Sequence, residues 1–144
     1  MGHRIERTQS VEFSCQQMFE LVNDIEAYPD YMDGCQKARI LKSGEDWLEA
    51  ELSLGIGGIT QSFVTRNSLQ PPHKMTLKLV DGPFREFNGE WRFEPVGDAC
   101  KVTFKLDFSM KNPLLAFAAN KMFEQVVESQ VKALCRRARE QFAS

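Results

Sequence analysis

Apolar residues recur along this chain in two registers. Between residues 35 and 110 they return every second position, in runs cut by tight turns. Between residues 113 and 142 they return every third or fourth position. The first period belongs to half-buried strands and the second to an amphipathic helix. Ahead of both, Ile5, Val11 and Phe13 occupy odd positions and predict a first strand over residues 5–13. Ser14 then predicts a helix start, its side chain accepting from the amide of Gln17 while Gln17 reaches back. Phe13 and Met18 are spaced as a hydrophobic staple. Met18, Phe19, Leu21 and Val22 give this helix a buried face of about two turns. Pro29 blocks a smooth continuation, so residues 25–32 form at most a second short helix, ending near Gly34.

From Cys35 the period is two. Ala38, Ile40 and Leu41 predict a strand and residues 43–46 a turn. Leu48, Ala50, Leu52, Leu54 and Ile56 share one face of the next strand, with Glu49, Glu51 and Ser53 on the other. Gly57-Gly58 signals a hairpin. The return strand, residues 59–69, carries Gln61, Phe63 and Thr65 opposite Ser62, Val64 and Arg66, and Pro71-Pro72 ends it. Met75, Leu77 and Leu79 alternate with Thr76, Lys78 and Val80 before Asp81-Gly82-Pro83 turns the chain. Residues 84–93 continue as a strand in which Gly89 is expected to mark a bend or bulge. After Gly97-Asp98, the residues Cys100, Val102, Phe104, Leu106 and Phe108 point one way and Lys101, Thr103, Lys105 and Asp107 the other.

Asn112 is a good cap and Pro113 takes the favoured first helical position. The stripe that follows is Leu115, Ala119, Met122, Phe123, Val126, Val127, Val131, Leu134, Ala138 and Phe142. A helix over residues 113–142 is roughly 43 Å long, the full width of a domain of this size. The predicted order is β-α-α-β-β-β-β-β-β-α in one domain, residues 1–144. That is an α+β fold, a curved antiparallel sheet wrapped around a long C-terminal helix. The first strand has to join an edge or close the sheet.

Composition narrows the function. Hydrophobic residues make up 42% of the chain and the net charge is −2, so no global field draws it to DNA or to anionic lipid. No segment approaches the roughly 18 apolar residues of a membrane span, and residues 1–13 lack the apolar block of a signal peptide. A cytoplasmic location, or one peripheral to an inner membrane, is expected. Cys15, Cys35, Cys100 and Cys135 stand far apart without a C-x-x-C pair, as buried or semi-buried thiols of a reducing compartment do. His3 and His73 are expected to be exposed, and two scattered histidines make neither a catalytic set nor a metal site. Gly55-Ile-Gly-Gly58 joins two antiparallel strands and lacks the helix that a phosphate loop needs. Asp24, Glu26, Asp30 and Asp33 read as a solvated acidic face, because their spacing is not that of a calcium loop. No cofactor is expected and no catalytic constellation stands out.

Several segments carry a family resemblance. They are Met18-Phe-Glu-Leu-Val-Asn-Asp24, Tyr28-Pro-Asp-Tyr-Met-Asp-Gly-Cys35, Thr65-Arg66-Asn67, Val80-Asp-Gly-Pro-Phe84 and Gly89-Glu-Trp-Arg-Phe93. With the element order, they resemble the helix-grip proteins of the START, or polyketide-cyclase-like, superfamily. Within it, the chain is most similar to bacterial ribosome-association toxins and coenzyme Q-binding START proteins. Tyr31 stands where the family often has phenylalanine and Asp33 where it often has proline. The resemblance implies non-catalytic binding or transport of an apolar ligand, ubiquinone foremost, in support of respiration. The alternative it implies is a toxin that binds the large ribosomal subunit and blocks subunit joining. A cyclase-like enzyme is the remote alternative.

The space between helix and sheet is the expected ligand site, at about 300–1,000 Å³. Alternation and the resemblance nominate Phe63, Leu79, Phe84, Trp91, Phe93 and Phe104 on the sheet, and Met122 on the helix. Tyr31 and Met32 are nominated on a Pro- and Gly-flanked segment that can act as a lid. Lys132, Arg136, Arg137 and Arg139 end the last helix, where cations offset its dipole. Glu124, Glu128, Lys132 and Arg136 also form an i,i+4 ladder. The same basic cluster is the candidate docking patch for ribosomal RNA or for headgroups at a membrane surface.

Overall fold

The structure, a computed structural model, describes residues 2–56 and 59–143. The expected Gly57-Gly58 turn lies outside the described residues. The chain forms β1 (His3–Val11), α1 (Cys15–Asn23), a 3-10 turn (Ile25–Ala27) and α2 (Tyr28–Tyr31). Six strands follow: β2 (Cys35–Ser43), β3 (Trp47–Ile56), β4 (Ile59–Gln70), β5 (Lys74–Asp81), β6 (Phe84–Val96) and β7 (Ala99–Met110). A second 3-10 turn (Pro113–Leu115) leads into α3 (Ala116–Phe142). The strands make one seven-stranded sheet in the order β1-β7-β6-β5-β4-β3-β2. Every pair is antiparallel, and β1 takes the edge beside β7. This is the α+β architecture that the periodicity predicts.

Local chemistry explains the helix ends. Ser14 caps α1 through the Gln17 amide, and the Gln17 side chain accepts from the Ser14 amide, closing the capping box. Phe13 sets its ring 5.9 Å from that of Phe142, joining the entry of α1 to the exit of α3. At the other end of α3 the Asn112 side chain accepts from the Leu114 amide at 3.0 Å. The first turn is 3-10, so the α-helix begins at Ala116 rather than Pro113. The tighter winding rotates Leu115 out of the stripe, and it is exposed. The rest of the stripe is covered: Phe123, Val126, Leu134 and Ala138 are each at most 1% exposed. At 27 residues, α3 is about 40 Å long and touches both β1 at one edge of the sheet and β3 near the other.

The bulge is not at Gly89. Gly89 pairs with Leu106 in an unbroken register, and the slip lies between Phe84 and Glu86. The extra residue, Arg85, turns Phe84 to the same side as Phe87, Trp91 and Phe93, and all four are buried. A Cβ at Gly89 would meet the Leu77 Cβ at 3.4 Å and the Phe104 ring at 3.6 Å, ordinary van der Waals contact. The outer face is held by charge pairing. Glu49 is only 7% exposed because Arg66 and Lys42 lie over it, and the Arg66 guanidinium also caps the Trp47 ring at 4.4 Å. His3 is half-buried, bonded to Glu124 at 3.1 Å, because β1 runs alongside α3; His73 is exposed.

Val126 is fully buried in the middle of the stripe. Val126→Asp is expected to destabilise the protein by roughly 3–5 kcal/mol, as an unpaired buried carboxylate does, read as the denaturant midpoint at an unchanged slope.

Candidate functional site

Between α3 and the concave face of the sheet lies a cavity of about 40 Å³. Its wall combines β3 (Ala50, Leu54), β4 (Phe63), β5 (Met75, Leu77), β6 (Phe87, Trp91), β7 (Phe104, Leu106) and α3 (Phe123, Val126, Val127). Ile25 and Tyr28 close one side. A space of this size admits a water molecule but no aromatic ring, for which about 150 Å³ is needed. The expected volume is therefore not open in this conformation. The reason is aromatic packing. Phe63 meets Phe87 at 4.8 Å and Phe84 at 5.4 Å, Trp91 meets Phe104 at 4.5 Å, and Phe108 meets Phe123 at 4.7 Å. These rings occupy the space that the sheet's curvature leaves beneath the helix.

Of the nine residues nominated from the sequence, Phe63, Trp91 and Phe104 line the cavity. Six do not. Phe84 stands behind Phe63 and Phe123, brought inward by the bulge. Phe93 lies past Trp91 and packs edge-on against Phe19 of α1. Leu79 is half-buried near the Gly82 turn, toward the end of β5. Met122 is buried but faces aside, because the cavity face of α3 runs through positions 123, 126, 127 and 130. Tyr31 and Met32 pack below the end of α3, away from the wall.

Three polar residues escaped nomination. Thr65, Asn67 and Gln130 meet the cavity and are 1%, 2% and 9% exposed. The Thr65 hydroxyl donates to the Asn67 Oδ1 at 2.8 Å, and the Asn67 Nδ2 lies 3.9 Å from the Met75 sulfur. Among the described residues, the buried side-chain atoms without a partner lie elsewhere, on Asn23, Tyr31 and Ser109. Strand period offered a signal here, since positions 63, 65 and 67 share the inward face of β4. The only ionisable residue in the described wall is Tyr28. Burial raises its pKa well above the usual tyrosine value, and its hydroxyl donates to the Val22 carbonyl. The wall is mostly apolar, with Thr65, Asn67 and Gln130 as its groups able to hydrogen-bond a guest.

The segment over the cavity is held from two sides. Arg136 donates to the Tyr31 carbonyl at 3.2 Å, and the Arg137 guanidinium lies 5.0 Å over the Tyr31 ring. Glu26 accepts from the Ile40 amide at 3.0 Å, so one of the four clustered carboxylates is a structural anchor. Burial pushes the Tyr31 pKa above the ordinary range, partly opposed by Arg137, and its buried hydroxyl has no partner among the described residues. The basic end of α3 is thus divided. Arg136 and Arg137 hold Tyr31, while Lys132, Arg136 and Arg139 are all exposed. The charge ladder is also partial: Lys132 pairs with Glu128, but Arg136 pairs forward with Glu140 and Glu124 turns to His3.

All four thiols are buried and free. Cys15 and Cys100, far apart in sequence, meet at 2.7 Å where α1 crosses β7. Burial and the neighbouring Cys15 push the Cys100 pKa up, and burial raises that of Cys35 to about 11. Among the described residues no group of three or more His, Cys, Asp or Glu is placed to hold a metal.

An antiparallel sheet gripping one long helix around an apolar cavity defines the helix-grip class. Residues 11–135 match the family described as polyketide cyclase / dehydrase and lipid transport, and the chain belongs to it. It is 37% identical over 142 residues to the ribosome association toxin RatA of Escherichia coli K12, covering 98% of this chain and 90% of that protein. It is 29% identical to the mitochondrial coenzyme Q-binding protein COQ10 homolog B of Xenopus laevis, covering 94% of this chain and 58% of that one. Among solved structures, TTHA0849 from Thermus thermophilus superposes with a TM-score of 0.88 at 16% identity, over 97% and 99% of the two chains. The Zhui aromatase/cyclase from Streptomyces sp. R1128 does so with 0.81 at 20% identity, over 100% and 99%. At these identities the two structures speak for the fold alone.

Ala50 is 1% exposed in the cavity wall. The space beside it is smaller than a phenyl ring, so Ala50→Phe is expected to cost about 1–3 kcal/mol in thermal unfolding. An unchanged melting temperature would mean that the cavity is larger in solution.

Proposed function

We propose that this protein is a non-catalytic carrier of an apolar molecule with one hydrogen-bonding end, and that a ubiquinone-type ring is its leading ligand, in support of respiration. The observation behind this reading is the cavity itself, apolar on most of its wall, with Thr65, Asn67 and Gln130 as its hydrogen-bonding members. Any guest that displaces water from Thr65, Asn67 and Gln130 has to replace the hydrogen bonds that water made. A ring carbonyl fits that need, and the aromatic wall fits the ring's faces. A relative whose name includes coenzyme Q binding adds support. Loading requires the walls to part. Residues 25–31, whose Ile25 and Tyr28 close one side of the cavity, are the segment to move; Val22, Ile40, Arg136 and Arg137 hold it.

Trp91, 4% exposed in the wall, is the reporter, with Trp47→Phe removing the second tryptophan. Titration with a short-chain ubiquinone is expected to quench it saturably at a one-to-one endpoint. Gln130→Leu is expected to weaken binding about three- to tenfold, the worth of one hydrogen bond. Quenching that never saturates, or that ignores Gln130→Leu, would sink this reading.

A second reading rests on a different observation, the 37% identity to a ribosome association toxin across nearly the whole chain. In it, the exposed cations of α3 meet ribosomal RNA and the protein blocks subunit joining. Lys132 and Arg139 are the residues to test, because Arg136 and Arg137 also hold Tyr31. Lys132→Gln with Arg139→Gln is expected to weaken co-sedimentation with the large subunit and to flatten its salt dependence. Co-sedimentation indifferent to both the variant and salt would assign these cations to the helix end alone.

A further inference from the structure

The largest exposed apolar group in the described protein sits at the start of α3. Leu114, Leu115 and Phe117 are 89%, 45% and 73% exposed, within four consecutive residues. The other exposed large apolar residues, Leu41, Val80 and Val96, are single positions on separate strands. We infer that this turn is a docking tip that enters the interfacial layer of an anionic lipid bilayer.

The tip is a built feature. Pro113 presets its backbone, and the Asn112 side chain holds the Leu114 amide at 3.0 Å. The Lys111 amide donates to the Pro83 carbonyl at 3.1 Å, which ties the base of the tip to the β5–β6 turn. The side chains are therefore presented outward on a braced 3-10 turn. Their surroundings match a lipid surface. Lys111 and Lys121 flank the tip, and no acidic residue occurs at positions 112–123. The Lys121 ammonium lies 4.7 Å over the Phe117 ring. An aromatic ring beside a lysine ammonium is the pairing that suits the boundary between acyl chains and headgroups.

A protein partner fits less well. A stable interface buries about 800 Å² on each side, and three side chains on a narrow turn do not supply that. A bilayer needs only a few apolar groups set into it beside cations that meet its charge. Among the described residues no helix is long and apolar enough to cross a membrane, and the contact inferred is one of docking. The tip also has a position relevant to the cavity. Behind it stand Phe84 and Phe123, with centroids 5.7 Å apart, and Phe123 belongs to the cavity wall. A docked tip brings that aromatic end toward the bilayer. The inference does not depend on what the cavity holds.

Flotation of the full chain with phosphatidylethanolamine–phosphatidylglycerol vesicles tests it, with phosphatidylcholine vesicles alongside. The expected result is co-flotation with the anionic vesicles and weaker flotation with the neutral ones. Leu114→Ser with Phe117→Ser is expected to lower partitioning about tenfold or more, since each exposed side chain otherwise leaves water. The melting temperature and the Trp91 titration should stay unchanged, which separates loss of docking from loss of the cavity. Lys111→Gln with Lys121→Gln should reduce partitioning a few-fold at low salt only. Three results would overturn the inference. One is no flotation, or flotation indifferent to the apolar double variant. Another is a concentration-dependent dimer that this variant abolishes, which would put a second copy on the tip. The third is ribosome co-sedimentation, in place of vesicle binding, lost in the same variant.

Discussion

Seven antiparallel strands present one apolar face, and a single 27-residue helix has to cover most of it. A flat sheet would leave its outer strands in water. The sheet therefore curls until β1 at one edge and β3 near the other both reach α3. Its natural twist supplies part of that curvature, and the bulge at Arg85 adds a local kink. Val126 and Leu134, fully buried in α3, are the axis about which this happens. Almost every other feature of the molecule follows from that contact. The short helices α1 and α2 fill what α3 cannot reach, with Phe19 seated on Phe93 and Phe13 on Phe142.

A curved sheet and a cylinder cannot match everywhere, and the mismatch is where the cavity lies. Aromatic rings fill most of it because their size and edge-to-face packing suit an irregular gap. What remains is small and carries Thr65, Asn67 and Gln130. Thr65 and Asn67 partly satisfy each other. Polar groups in the middle of the principal packing interface are where an apolar guest with a polar end would find hydrogen bonds. Their position also couples binding to the fold, since anything that enters must part the same surfaces that hold the sheet to the helix. The four-residue α2 and the turn before it are the shortest elements of the enclosure, anchored by Ile25 and Tyr28 in the core and by Arg136 and Ile40.

The two ends of α3 differ in chemistry. Its start carries bare apolar side chains on a braced turn, and its end carries arginines that complement the helix dipole while two of them hold Tyr31. One element thus forms the core, a cavity wall, the clasp over that cavity and an exposed tip. A relative named for ribosome association and another named for coenzyme Q binding share this scaffold. Fold alone does not choose between such roles; the side chains at these separate places do.

Period and capping residues made the element order, the strand faces and the α1 capping box legible in the sequence. These depend on neighbours within about four positions, and local sterics and hydrogen bonding decide them. Strand alternation likewise placed Phe63, Trp91 and Phe104 on the inner face, and they do line the cavity. Other features were set only when distant segments met. Alternation predicts a face but not how far along it the helix will lie, so Phe93, Leu79 and Met122 were nominated without reaching the cavity. A one-residue slip at Arg85 turned Phe84 inward without making it part of the wall. The meeting of Cys15 with Cys100 and the division of labour among Lys132, Arg136, Arg137 and Arg139 are likewise products of packing. The cavity's volume was the least legible of all. It is a small difference between the space a curved sheet encloses and the bulk of the rings inside it, and only the tertiary structure sets both.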